Sequence, residues 1–145
     1  MPPPEQPRLI QEVVGLWFQI QGRLEQNFAD IAAQQSLTPM QAKALMELDA
    51  TSPITMRALA DRLHSDPSNL TSVIDRLEES GAVQRRPHAQ DRRAKGVVLT
   101  ANGQRMRDTF WHRLVNQVGP LGGLRAAELK SLRTLLSSAL AERPA

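Results

Sequence analysis

The chain has 145 residues, a formal net charge of +3 at neutral pH, 3% aromatic residues and no cysteine. That length is enough for one domain with its own core, and the missing thiols exclude disulfides, thiolate zinc sites and thiol redox sensing. No window approaches the ~18 consecutive apolar residues of a membrane span and no signal-peptide pattern opens the chain, so a cytoplasmic protein with no membrane partner is expected.

Residues 1–7 carry four prolines and read as an extended lead-in. From 8 to 34, Ile10, Val13, Val14, Trp17, Ile20, Leu24, Phe28 and Ile31 recur at intervals of three and four. That is the period of a helix about 27 residues and roughly 40 Å long, which exceeds the width of a small domain. Such a stripe is covered either within its own fold or by a second copy of the chain. Thr38 and Pro39 read as the N-cap and first-turn proline of a second helix, with Ala42, Leu45, Met46 and Leu48 inward as far as Asp49. Thr51, Ser52 and Pro53 break it. Ile54 is expected as a one-residue strand pairing, and Thr55 caps a short helix over 56–63.

After a turn of three or four residues comes DPSNLTSVIDRLEESG, residues 66–81. Asp66 is an N-cap, Pro67 fits the first turn, and Gly81 suits a left-handed stop. Leu70, Val73, Ile74 and Leu77 form one apolar stripe. Ser68, Asn69, Thr71, Ser72 and Arg76 occupy the rest of the helix's first turns. These are side-chain types that read base edges and phosphates when a helix N-terminus enters a major groove. Taken alone, the pattern also fits an ordinary surface helix. The tight turn before it makes the pair a helix-turn-helix whose second member is the recognition helix.

Residues 83–86 read as a strand, 87–94 as a polar basic loop and 97–100 as a second strand, a hairpin wing behind the recognition helix. From 85 to 95 five Arg or Lys residues stand against one acid, a local +4 that leaves −1 for the rest of the chain. Such a patch is the footprint of a polyanion partner, and the scarcity of aromatics argues against base-stacking platforms for single strands. Thr100 caps a helix to about 118 with Met106, Phe110, Leu114 and Val118 at four-residue steps, and Gly119-Pro120 and Gly122-Gly123 stop it. A last helix over 126–143 carries Leu129, Leu132, Leu135, Leu136 and Leu140. The expected fold is mainly α with a small β wing. A winged helix-turn-helix over 38–100 lies between long terminal helices, 8–34 and 101–143, in one domain spanning 1–145.

Three stretches, LTPMQAKALMEL (37–48), DPSNLTSVIDRLEESGAVQRR (66–86) and DRRAKGVVLTANG (91–103), carry a resemblance to the MarR family of winged helix-turn-helix transcription regulators. The third is the most specific, with its Asp, Arg and following Leu-Thr-x-x-Gly. Gly96 departs from the pattern, since the family more often has an apolar strand residue there, and the start of the second wing strand stays open. The resemblance implies a homodimer joined by its first and last two helices. With it come double-stranded DNA as partner, a pseudo-palindromic operator, and the groove-facing role of Ser68, Asn69, Thr71 and Ser72.

Arg76 either reaches DNA or pairs with Asp75 and Glu78. In the wing, Arg93 is the candidate for a narrow minor groove, with Arg92 and Lys95 on flanking phosphates. Asp91 is a brace for the wing arginine or a simple turn residue. Arg85 and Arg86 alternate along a strand, so only one faces the duplex, and Arg86 is the candidate. Many members of the family also bind a small aromatic or phenolic effector in a crevice between dimer and DNA lobes. Trp17, Gln21, Met46 and Trp111 are the candidates for such a pocket here, plain core or dimer packing being the other reading.

His64, His88 and His112 have no metal-ligand spacing, and no nucleophile with its base, phosphate loop or paired carboxylate is present. No catalytic residue, metal or cofactor is expected. The expected function is a homodimeric, sequence-specific double-stranded DNA-binding transcriptional regulator, a repressor released by a small phenolic or aromatic ligand. The alternative is a winged-helix interaction module whose basic wing meets an acidic protein.

Overall fold

The computed structural model describes residues 5–88, 90, 93–117 and 119–141. Its elements are α1 (Glu5–Gln34), α2 (Pro39–Glu47), β1 (Ile54–Thr55), α3 (Met56–Leu63), α4 (Pro67–Glu79), β2 (Val83–Pro87), β3 (Lys95–Leu99), α5 (Ala101–Gln117), α6 (Gly119–Gly122) and α7 (Ala126–Leu140). The chain divides into two compact units, Phe28–Leu114 and Met1–Asn27 with Val115–Ala145.

In the first unit, each helix start is written in side chains. The Thr38 hydroxyl accepts from the Gln41 N–H at 3.2 Å while the Gln41 side chain accepts from the Thr38 N–H at 2.9 Å, a reciprocal capping box. Thr55 caps α3 through the Ala58 N–H at 3.1 Å, and Asp66 caps α4 through the Ser68 N–H at 3.2 Å. The helix expected to continue to Asp49 ends at Glu47, where the Arg107 guanidinium of α5 donates to the Leu48 carbonyl at 2.7 Å. These helices close over a core of Leu45, Leu48, Leu59, Leu70, Ile74, Leu77, Val83, Val97 and Leu99. A second cluster joins Ile31 and Ala32 of α1, Ala42 of α2 and Phe110 of α5, with the Phe28 and Phe110 ring centroids 4.7 Å apart.

The three strands form an antiparallel sheet in the order β1-β3-β2. The one-residue pairing expected at Ile54 is a two-residue strand, with Ile54 opposite Val97 and Thr55 opposite Gly96. The second wing strand starts at Lys95, two residues before the expected 97, and runs through Gly96. A Cβ at position 96 would come within 2.5 Å of the Pro53 Cβ, so only glycine lets the strand pass that ring. Pro87 lies opposite Lys95 on β2, an edge strand of this sheet that tolerates a residue with no N–H.

The second unit differs in two places from what the sequence led us to expect. The lead-in over 1–7 is shorter, because α1 begins at Glu5 and accepts Pro7 in its first turn, where no intrahelical N–H bond is lost. Gly119 and Pro120, expected to be a stop, start a four-residue helix instead. Helix α7 ends at Leu140 rather than 143, and α5 at Gln117, so the expected core position Val118 lies outside the described residues. The amide of α7's N-cap residue, Arg125, donates to the Glu128 carboxylate at 2.8 Å, and so does its guanidinium at 2.8 Å. This unit buries none of its described side chains fully. Leu9, Ile10, Val13, Val14, Leu16, Trp17 and Phe18 of α1 and Leu129, Leu135 and Leu140 of α7 are exposed. Among the described residues no helix is long and apolar enough to cross a membrane.

Candidate nucleic-acid interface

The turn between α3 and α4 is set by His64, which ends α3 in the left-handed region at φ 49° with its amide bonded back to the α3 carbonyls. Histidine is among the residues that tolerate this conformation. Two residues later Asp66 caps α4 and Pro67 occupies its first position. Leu70, Ile74 and Leu77 are buried, and this fixes the helix's rotation about its axis. The opposite face carries Ser68, Asn69, Thr71, Ser72 and Arg76, all exposed.

The hydrogen-bonding state of these groups differs. The Thr71 hydroxyl donates to the Pro67 carbonyl at 3.0 Å and the Ser72 hydroxyl to the Asn69 carbonyl at 3.1 Å. The side-chain amide of Asn69 has no partner among the described residues, so its donor and acceptor are both available, the pairing that matches an adenine edge. The helix N-terminus adds a partial positive charge beneath this face.

The expected alternative for Arg76, an ion pair with Asp75 and Glu78, is not what forms. Both carboxylates turn to Arg85 of β2. Its guanidinium donates to Asp75 at 2.6 Å and to Glu78 at 2.9 Å, and its backbone N–H donates to Glu78 at 3.2 Å. Asp75 and Glu78 are three residues apart and share the helix face nearest the strand, whereas Arg76 is rotated about 100° away. Arg76 is therefore exposed and without an ion pair among the described residues. Burial works against the Arg85 charge, but the hydrogen bonds and charges of Asp75 and Glu78 outweigh it and raise its pKa above the ordinary value. Sequence reasoning missed this clamp. The acids' spacing was visible, but nothing in the sequence said which arginine would reach them.

With Arg85 turned to α4, its neighbour Arg86 points the other way. Arg86 is exposed and its guanidinium donates to the Gln84 side chain at 3.1 Å. The His88 N–H donates to the Ala94 carbonyl at 3.0 Å across the base of the wing loop. Arg93 and Lys95 are exposed on the returning side. Asp91 and Arg92 lie outside the described residues, and so do the brace and phosphate roles expected of them.

Of the effector candidates, Trp17 and Gln21 line one cavity with Leu121, Leu132 and Leu136 in the terminal unit. Met46 lines an open cleft of the other unit with Phe28, Lys43, Arg62 and His64. Trp111 is 46% exposed on α5.

A capped helix-turn-helix, its second helix clamped to a basic β hairpin, defines the winged helix-turn-helix class. The MarR family model matches residues 37–95. The chain is 36% identical over 66 residues to the uncharacterized HTH-type transcriptional regulator YfiV of Bacillus subtilis, covering 46% of this chain and 41% of that protein. It is 27% identical over 81 residues to the HTH-type transcriptional repressor MdtR of the same organism, covering 56% and 52%. The chain spans about half the length of the curated relatives it matches. Apo MarR from E. coli is 27% identical with a TM-score of 0.70 over 97% of this chain and 98% of that one. A mutant MarR complexed with operator DNA is 27% identical with a TM-score of 0.68 over 91% and 96%. Over residues 37–95 the chain is similar to the MarR family, and its fold is that of the MarR structures.

Proposed function

We propose that the protein is a homodimeric, sequence-specific double-stranded DNA-binding repressor, relieved by a small phenolic or aromatic ligand. The observation that carries the DNA reading is the outer face of α4. Its short polar groups and Arg76 stand clear of the core, and the clamp at Arg85 fixes the wing that bears Arg86, Arg93 and Lys95 beside them. The dimer reading rests on the exposed apolar side chains of α1 and α7. Repression is favoured by the name of MdtR, and a duplex operator by the DNA-bound MarR relative. Support for the ligand comes from the placement of Trp17 and Gln21 on an apolar cavity.

The test is fluorescence anisotropy with random duplex at low salt, followed by selection of tight-binding duplexes from a random pool. Binding with a strong salt dependence is expected. Selected sites should be pseudo-palindromes with half-sites about 10 to 11 base pairs apart, one helical turn. No binding to any duplex at low salt would overturn the reading.

A further inference from the structure

We infer that Arg76 reads a guanine, and that each half-site of the operator carries this G·C pair about two base-pair steps from an A·T pair read by Asn69. The inference rests on the DNA reading proposed above and names the bases that this recognition helix selects.

Helical geometry puts the two side chains on one line. Seven residues complete almost two turns, so Asn69 and Arg76 share a stripe about 10 Å long, with Ser72 between them. All three are exposed, and the stripe lies away from the flank on which Asp75 and Glu78 turn to Arg85. Residues three or four apart on a helix in the major groove meet successive base pairs, so the ends of the stripe lie about two steps apart.

The hydrogen-bonding groups on this face are not equivalent. A guanine edge presents two acceptors, O6 and N7, so only donors read it. The Ser72 hydroxyl donates to the Asn69 carbonyl and that of Thr71 to the Pro67 carbonyl, so both turn acceptor lone pairs outward. Arg76 supplies the two-donor fork of the stripe, and no ion pair holds it among the described residues. Charge then decides between a base edge and a phosphate. Arg76 lies in the last turn of α4, at the negative end of the helix dipole, with Asp75, Glu78 and Glu79 beside it in sequence. A phosphate would bring a full negative charge into that field, whereas a guanine edge is neutral.

The experiment selects tight-binding duplexes from a random pool with the full chain and, in parallel, with Arg76→Gln and Arg76→Lys. Glutamine and lysine are good helix formers and the position is exposed, so both variants keep the fold. The unsubstituted chain should select the A·T and G·C pairs at that separation. Glutamine matches an adenine edge, so Arg76→Gln should exchange the G·C pair for A·T and leave every other position unchanged. Lysine also reaches guanine, so Arg76→Lys should keep the pair. On the site selected by the unsubstituted chain, changing that G·C pair to A·T should weaken its binding about tenfold, and Arg76→Gln should reverse the preference. Half-sites without the two pairs at that separation, or the same sites selected by Arg76→Gln, would overturn the inference. So would an equal loss of affinity on every duplex with a lower salt slope, which would make Arg76 a phosphate contact. Absence of binding to any duplex is a different result, which overturns the DNA reading itself and this inference with it.

Discussion

Arg85 and Arg86 are neighbours in sequence with different partners, and the separate work proposed for them is measurable. Arg85 has a side-chain exposure of 22% and joins β2 to α4 through two carboxylates. Arg85→Ala should lower unfolding free energy by about 1 kcal/mol, as expected for a partly exposed arginine paired with two carboxylates, and urea titration would read it. The salt slope of DNA binding should change little. Arg86→Ala should do the reverse, leaving stability within about 0.5 kcal/mol and reducing the salt slope by about 0.9 for each phosphate no longer neutralised, counted over both subunits. If both variants moved the same quantity, the division between clamp and contact would fail. Asn69 reads differently again. With its amide unpartnered, Asn69→Ala should cost about 1 to 3 kcal/mol on a selected operator and much less on scrambled duplex. Equal losses on both would remove Asn69 from the base-reading set. Of these three residues, Asn69 and Arg86 were legible from position alone, since a capped amphipathic helix and a two-residue strand alternation determine which way they point. The part of Arg85 was not, because it depends on the distance between two elements that the sequence does not state.

Between elements, the legible part of the fold lay in caps and stripes, and the illegible part in close approaches. Thr38, Thr55, Asp66 and Thr100 are the N-caps the sequence led us to expect, and Thr100 accepts from the Gly103 N–H at 3.1 Å. The role of Gly103 itself is packing. A Cβ there would collide with the Ala82 carbonyl oxygen, so α5 can approach the start of β2 only at a glycine. Replacing a helical glycine by alanine ordinarily gains up to about 1 kcal/mol, less in the first turn, where Gly103 lies. Here overpacking against backbone should outweigh that gain, and Gly103→Ala should destabilise by about 1 to 3 kcal/mol or more. A thermal midpoint equal to or above that of the unsubstituted chain would contradict the packing argument. The N-terminus of α7 supplies a pH dependence. The side-chain and backbone hydrogen bonds from Arg125 lower the Glu128 pKa below its ordinary 4.5. A carboxyl group depressed in the folded state contributes stability that is complete above its unfolded value and is lost as pH falls through its folded value. Acid titration of the urea midpoint should show this loss below about pH 4.5, and Glu128→Ala should remove that part of the profile.

For the molecule as a whole, the two compact units differ in how their apolar residues are covered. The unit Phe28–Leu114 has two buried clusters of its own, while Met1–Asn27 with Val115–Ala145 leaves its leucines and valines open. The long stripes of the first and last helices made that imbalance visible in the sequence. The wing tip at Asp91 and Arg92 stays a matter of sequence pattern alone. On the proposed dimer, sedimentation should give twice the chain mass, and Val13→Glu should shift it toward the monomer because a charge would then be buried at the contact. A chain that stays dimeric with that substitution would place the contact elsewhere.

Each unit also contains a single tryptophan, Trp17 in one and Trp111 in the other. Single-indole variants can therefore report the melting of either unit separately. A structure completed by a second molecule gains stability by mass action, whereas one with its own interior does not. Diluting the protein a hundredfold should therefore lower the midpoint seen by Trp17 and leave that seen by Trp111 in place, a dependence on concentration confined to one of the two units of a single chain.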